Sequence, residues 1–219
     1  DWATQSALVK FMSFDGKGKL QEHSRCVLRF KDCSLQAKLQ AEAHMIKAKM
    51  QDVRAGIADG TTARFNAPMV YRAIRPLARF HDDYRAIDEI VLNSNTLEAV
   101  CQLSYSNVKK AGDFSTHPAI IDSLTQLCGF TMNCNDGCDL DKEVFMNHGW
   151  GSFQIFEPID HDKVYTTYTQ MKQGVDKLWH GDVCVFDGEK IVAWFGQIAV
   201  RAFALPSNPV PKVSEWLIP

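Results

Sequence analysis

The sequence predicts an α+β fold in which an antiparallel sheet wraps one buried helix, and three observations support it. Strand-like patterns at 84–93 and 97–106 precede a strongly apolar helical pattern at 117–132. Four further strand patterns follow it, at 144–157, 163–172, 181–187 and 190–203. The composition, 46% hydrophobic and 23% charged over 219 residues, excludes disorder and fibrous structure. A chain of this length buries roughly 70% of its unfolded surface, so it needs neither metal nor disulfide staples to fold.

Taken in order, residues 6–14 and 25–31 read as strands, the second alternating Cys26, Leu28 and Phe30 against polar neighbours. Asp15-Gly16-Lys17-Gly18 supplies the positive-φ positions of the turn between them. Leu35, Leu39, Ala43, Ile46, Met50 and Val53 recur at spacings of three and four up to Gly56 and Gly60, so a helix connects this hairpin to a second unit. Met69, Val70, Ala73, Ile74 and Leu77 form another helical pattern, which Pro76 bends or ends. From Tyr84 the period becomes two, with Asn93-Ser94-Asn95 turning the first strand pair and Asp187-Gly188 the last hairpin. The tail from Pro206 to Pro219 holds four prolines and reads as a linker.

Charge and cysteine usage narrow the partners. The 24 basic and 26 acidic residues leave a net charge of -2, without the basic excess that a nucleic-acid backbone requires. Seven scattered cysteines, most of them in apolar runs, suit reduced thiols in a cytoplasmic protein. Cys134 and Cys138 have no second pair at ligand spacing, so no metal site is expected. The longest uncharged apolar stretch falls well short of the ~18 residues of a membrane span.

The chemistry is concentrated in His117-Pro118-Ala119-Ile120-Ile121-Asp122-Ser123-Leu124-Thr125-Gln126. Pro118 suits the first helical turn, with Thr116 or His117 before it as cap. Asp122 and Gln126, four apart, project one above the other away from the apolar face. On an apolar helix this pair is costly unless it meets a cavity or polar partners, which makes Asp122 a candidate general acid or base with a raised pKa. The competing reading is an exposed aspartate complementing the helix dipole. In Asn147-His148-Gly149-Trp150-Gly151 two glycines within a strand pattern mark a bulge that could aim Asn147 into a site; a polar residue paired at a strand kink fits equally well.

These residues resemble the product template domain of fungal non-reducing polyketide synthases. The resemblance is carried by the 117–126 run, by Gly129-Phe130-Thr131-Met132-Asn133 and Asn147-His148-Gly149-Trp150, and by ordered matches such as Glu22-His23-Ser24-Arg25-Cys26, Met69-Val70-Tyr71 and Tyr165-Thr166-Thr167-Tyr168. It implies a double hot-dog fold, two helices each wrapped by an antiparallel sheet. Residues 1–60 would be the later strands and connecting helix of an incomplete first hot-dog, 61–205 the second hot-dog, and 206–219 a C-terminal linker. The implied activity is regioselective aldol cyclisation and aromatisation of a linear poly-β-ketone, held on the phosphopantetheine of an acyl carrier protein, with no cofactor of the domain's own. Asp122 maps onto the aspartate of the family's His-Asp dyad, and Gln126, Asn147 and His117 onto supporting positions. The family's His segment has no counterpart among the seven histidines here, so the catalytic His is expected upstream. The acyl carrier protein and the other synthase domains are the implied partners, and a homodimer within the synthase is compatible with the resemblance.

Two alternatives compete. A polyketide or fatty-acid dehydratase shares the fold and the His-Pro-x-x-x-Asp helix, but the Asn147–Trp150 and Tyr165–Tyr168 runs look like product template. A non-catalytic module that shelters a polyketide would tolerate loss of Asp122. Arg64, Arg72, Arg75 and Arg79 cluster on and before one helix, as a carrier-protein contact or as a solvated face.

Overall fold

The computed structural model describes residues 1–30, 34–108, 112, 114 and 116–205. The chain divides into two compact units, residues 1–39 and 40–219. This division falls inside a helix, whereas the expected segments meet at 60 and 61; the expected linker at 206–219 lies outside the described residues.

In the first unit, β1 (Ser6–Phe14) and β2 (Leu20–Arg29) form an antiparallel hairpin with a register shift at Phe11 and Met12. Asp15 organises its turn, its side chain accepting from the backbone N–H of Lys17 (2.9 Å) and Lys19 (2.8 Å), and Gly18 takes φ +77°. The second strand begins five residues earlier than its alternation suggests. Residues 20–24 are mostly polar and all of β2 is exposed, so no one-sided burial marks its start.

Helix α1 (Ser34–Ala55) runs from the first unit into the second. Within the second unit it buries Ala43, Met50 and Val53, while the Gln40 side chain acts as a surrogate strand partner for the last hairpin. It donates to the Glu189 carbonyl (3.1 Å) and accepts from the Ile191 N–H (2.9 Å).

The second unit is a curled sheet of nine strands around helix α3 (Pro118–Asn133), joined by β3 (Ala63–Asn66), α2 (Ala67–Ala73), β4 (Ile87–Asn93), β5 (Glu98–Ser104), β6 (Glu143–Gly149), β7 (Ser152–Ile155), β8 (Val164–Gln170), β9 (Lys172–Gln173), β10 (Trp179–Asp187) and β11 (Lys190–Ala204). The order is β3-β4-β5-β8-β10-β11-β6, all neighbours antiparallel, with β7 beside β6 on β11 and β9 on β10. The concave side is made by alternate residues such as Ala99, Cys101 and Leu103 of β5 and Val183 and Val185 of β10, each with no accessible surface. Against them α3 turns Ile120, Leu124, Leu127 and Cys128. Burying each such Leu or Ile contributes about 1.5–3 kcal/mol.

In the second unit two expected strands change and one strand is new. The strand expected at 84–93 starts at Ile87, because Asp82–Tyr84 forms a 3-10 turn capped by His81. The short β3 escapes periodicity because four residues carry no readable alternation. The strand expected over 144–157 is two strands, split at Gly149-Trp150-Gly151. The split faces a bulge that β11 makes against β10, where Gln197 sits at φ +55° and the Gly151 N–H donates to the carbonyls of Gly196 (3.0 Å) and Gln197 (3.2 Å). The expected bulge lies in β6 itself, where Asn147 and Gly149 pair with the adjacent Val200 and Ala199 and leave His148 as the extra residue. Asp182 of β10 holds the separate bulge in β11 by accepting from the Gln197 N–H at 2.7 Å.

Candidate active site

Helix α3 starts as its sequence dictates. His117 is the N-cap, its Nδ1 accepting from the Ala119 N–H at 3.2 Å, and Pro118 occupies the first turn. A stripe of Asp122, Gln126, Gly129 and Asn133 then runs down one side at helical spacing and lines a cleft of about 260 Å³. The opposite walls are apolar: Ile74, Leu77 and Phe80 after α2, and Ile198 and Val200 of β11. Asn147 of β6 completes the rim, exposed, with its Oδ1 accepting from the Gly149 N–H at 3.2 Å.

Asp122 is half-buried, and burial pushes its carboxyl above the usual carboxylate range, against the pull of a hydrogen bond from Gln126. Gln126 Nε2 donates to Asp122 Oδ2 at 2.7 Å and to the Tyr84 carbonyl at 3.0 Å, while its Oε1 accepts from the Tyr71 hydroxyl at 3.3 Å. The stacked pair is thus neither a surface aspartate nor an orphan, since cavity and polar partners are both present. Among the described residues nothing hydrogen-bonds Asp122 Oδ1, which leaves one carboxylate oxygen for a group entering the cleft.

Asn133 sets the distance between α3 and β6. Its amide takes both backbone groups of Phe145, donating to the carbonyl at 2.8 Å and accepting from the N–H at 2.8 Å, and also donates to the Gly129 carbonyl at 2.9 Å. Asn147, two residues along the same edge strand, is thereby held near the helix. Replacing Asn133 with Leu, which keeps the volume but strands two partly buried backbone groups, is expected to lower stability by about 1–3 kcal/mol. The check is the urea midpoint, and a loss below about 1 kcal/mol would show that water replaces the amide without penalty.

The sequence-predicted residues therefore separate. Asp122, Gln126 and Asn147 come together on one cleft; His117 caps the helix instead, with its ring edge-on to Phe114 and His161, and is not in the cleft's lining. No lining residue is a histidine. Tyr71, the Tyr84 carbonyl and Asn133 had no assigned part. Tyr71 lies 55 residues from Gln126, a separation that no local pattern can report. Of the arginines, Arg64 is paired with Glu89, whereas Arg72, Arg75 and Arg79 are exposed on and after α2.

Cys101, Cys128 and Cys184 are buried, and burial pushes the Cys128 thiol up to about 12; Cys134 and Cys138 are half-buried. Cys26 is exposed, because β2 has no covered face; Cys33 lies outside the described residues. Among the described residues no helix is long and apolar enough to cross a membrane.

A helix inside a curled antiparallel sheet agrees with the family comparison: residues 57–204 match the family described as polyketide synthase dehydratase N-terminal domain. The chain belongs to this family. Its curled sheet is the dehydratase-type α+β hot-dog. The dehydratase domain from the CurJ module of the curacin polyketide synthase superposes with a TM-score of 0.60 at 16% identity, over 91% of this chain and 65% of that one. The corresponding CurF domain gives 0.60 at 12% identity, over 91% and 65%. At the sequence level, the non-reducing polyketide synthase pgmA of Aspergillus terreus is 67% identical over 201 residues, 92% of this chain and 9% of that protein. Its counterpart fsr1 of Gibberella fujikuroi is 64% identical with the same coverage, and norsolorinic acid synthase of Dothistroma septosporum is 38% identical over 91% of this chain and 8% of its own length. The dehydratase-family chain thus spans about a tenth of these relatives, and the stretch it matches is their product template region, as the sequence resemblance has it.

Proposed function

We propose that this polyketide synthase domain closes rings in a carrier-bound poly-β-ketone by regioselective aldol condensation followed by aromatisation. The observation that carries the reading is Asp122: half-buried, oriented by Gln126, and facing an apolar cleft with one oxygen free. In the reaction, an imidazole from a segment outside these residues removes a proton α to a ketone. Asp122 Oδ1 accepts the other ring N–H, fixes the tautomer and stabilises the imidazolium. The enolate carbon attacks a second ketone of the same chain, the new C–C bond forms, and the resulting alkoxide takes the proton back from the imidazolium. Loss of water then gives the aromatic ring. Asn147, exposed on the rim, holds a substrate carbonyl by its amide N–H in this reading. The apolar walls exclude water and restrict the chain to few conformers, which is where regioselectivity arises.

The substrate arrives on the phosphopantetheine of an acyl carrier protein in the same cytoplasmic synthase, and Arg72, Arg75 and Arg79 offer exposed positive charge next to the cleft wall formed by Ile74 and Leu77. The test is product analysis with a carrier-bound poly-β-ketone. One ring pattern in place of the spontaneous mixture is expected from the synthase carrying this domain. Asn147→Ala should slow formation of that product by about 5- to 20-fold, as loss of one substrate hydrogen bond would. A loss as large as that at Asp122 would assign it a part in the chemistry itself.

A second reading is favoured by the family match and by the solved neighbours, both of dehydratases. In it the same Asp122 would serve elimination of water from a β-hydroxyacyl chain. Offering a β-hydroxyacyl thioester decides between them: turnover to the enoyl product at rates matching cyclisation would favour the dehydratase.

A further inference from the structure

Asp122 works in the proposed cyclisation only as an oriented carboxylate, and its orientation depends on which way round the Gln126 amide stands. A glutamine amide is nearly symmetric in shape, so sterics alone do not choose. Here hydrogen-bond polarity chooses. The Ile87 backbone N–H donates to the Tyr71 hydroxyl oxygen at 3.1 Å, which directs the single phenolic proton toward Gln126 Oε1 at 3.3 Å. Gln126, 8% exposed, then turns both Nε2 hydrogens to acceptors: the Tyr84 carbonyl and Asp122 Oδ2. With the amide reversed, its oxygen would face two acceptors, and a proton on Asp122 would relieve only one of the two contacts.

We propose that Tyr71 is a positioning residue, whose hydroxyl sets the direction of a hydrogen-bond chain from the Ile87 N–H through Gln126 to Asp122 and so keeps Asp122 an accepting carboxylate. Burial of the phenol pushes its pKa far up, so the proton it donates stays in place across the working pH range. The ring is itself fixed: the Arg85 guanidinium lies 5.6 Å from its centroid, tied back to the Phe80 carbonyl (3.1 Å) and to Asp82 (3.0 Å). Other titratable groups around the carboxyl are few. Cys128 on α3 lines the cleft; β6, β11 and residues 74–80 put none into the lining; Tyr71 stands behind Gln126, with Arg85 and Cys101 acting on its phenol.

The inference rests on the cyclisation reading only for its effect on rate, so the deciding measurement contains no substrate. In the full chain labelled with 13C at aspartate side-chain carboxyls, Asp122 is assigned by Asp122→Asn and its titration followed in Tyr71→Phe. The expected result is an upward shift of its midpoint by about half a unit or more, because Gln126 Oε1 loses its donor and the amide holds the Asp122 carboxylate less firmly. Within the synthase, kcat should fall about five- to tenfold with KM little changed, and the loss should deepen on the acid side. An Asp122 titration unchanged in folded Tyr71→Phe overturns the proposal whatever the rate does. If that variant does not fold, the unsubstituted protein decides. The Gln126 Nε2 protons must be protected from exchange and must shift as Asp122 titrates; protons that exchange like those of a surface glutamine overturn it. Failure of the cyclisation reading shows elsewhere, as unchanged products in Asp122→Asn.

Discussion

Asp122→Asn is expected to abolish the specific ring pattern, lowering its rate on the order of 10²–10⁴-fold and leaving spontaneous products. An asparagine keeps the shape and can still accept from Gln126, but it carries no charge to stabilise an imidazolium in a cleft whose walls exclude water. Folding should survive the change, and the sign can be worked out. Burial raises the Asp122 carboxyl above its unfolded value of about 3.9, so its protonated form is favoured in the fold. The stability this represents is fully present below about pH 3.9 and is lost as pH rises through the folded-state pKa. An asparagine never ionises, so the variant should be as stable as the parent near pH 4 and no less stable at pH 7–8. Activity runs the other way, because in the proposed mechanism the carboxylate is the working form: cyclisation should fall as pH drops through the same raised pKa. Product profiles and urea midpoints over pH 4–8 test both signs. Unchanged product ratios in the folded variant would leave a passive shelter or a different chemistry.

How far the residues alone reach is visible in this site. Asp122 and Gln126 are four apart on one helix, so their partnership follows from helical geometry, and the penalty for burying them points to a cavity. The kink near Asn147 is legible from Gly149 and Gly151, but its proximity to Asp122 is not, because that depends on Asn133 tying the edge strand to α3. Tyr71 is invisible for the same reason, its contact being made by tertiary packing. The errors in the fold have related causes: β2 lacks alternation where both its faces meet solvent, and β3 is too short to show any. The reaction, unlike the carboxyl and the cleft, enters through the resemblance of whole motifs.

Phe130→Ala should be the most destabilising single change at the cleft. Phe130 is 1% exposed on α3, and its ring meets Phe65 of β3 edge-to-face at 5.1 Å between centroids, so it joins the helix to the far edge of the sheet. Truncation removes this aromatic pair and leaves a cavity, for about 3–5 kcal/mol. That is a large share of the roughly 5–15 kcal/mol that holds a domain together. Phe130→Leu keeps most of the volume and should cost under about 1.5 kcal/mol. The ring is also part of the cleft wall, four residues beyond Gln126, so truncation widens the space in which, on the proposed reading, the poly-β-ketone folds. Even at a temperature where the variant stays folded, its products should drift toward the spontaneous mixture although Asp122 is intact, because fewer chains are held with the reacting carbons together. Phe130→Leu should keep the product pattern. Denaturant midpoints for the two variants, together with their product ratios, separate the two effects. A loss below about 1 kcal/mol in Phe130→Ala would mean that the helix is not clamped to β3 through this ring. Full stability loss with an unchanged product pattern would place the regioselective wall on β6 and β11, opposite the helix.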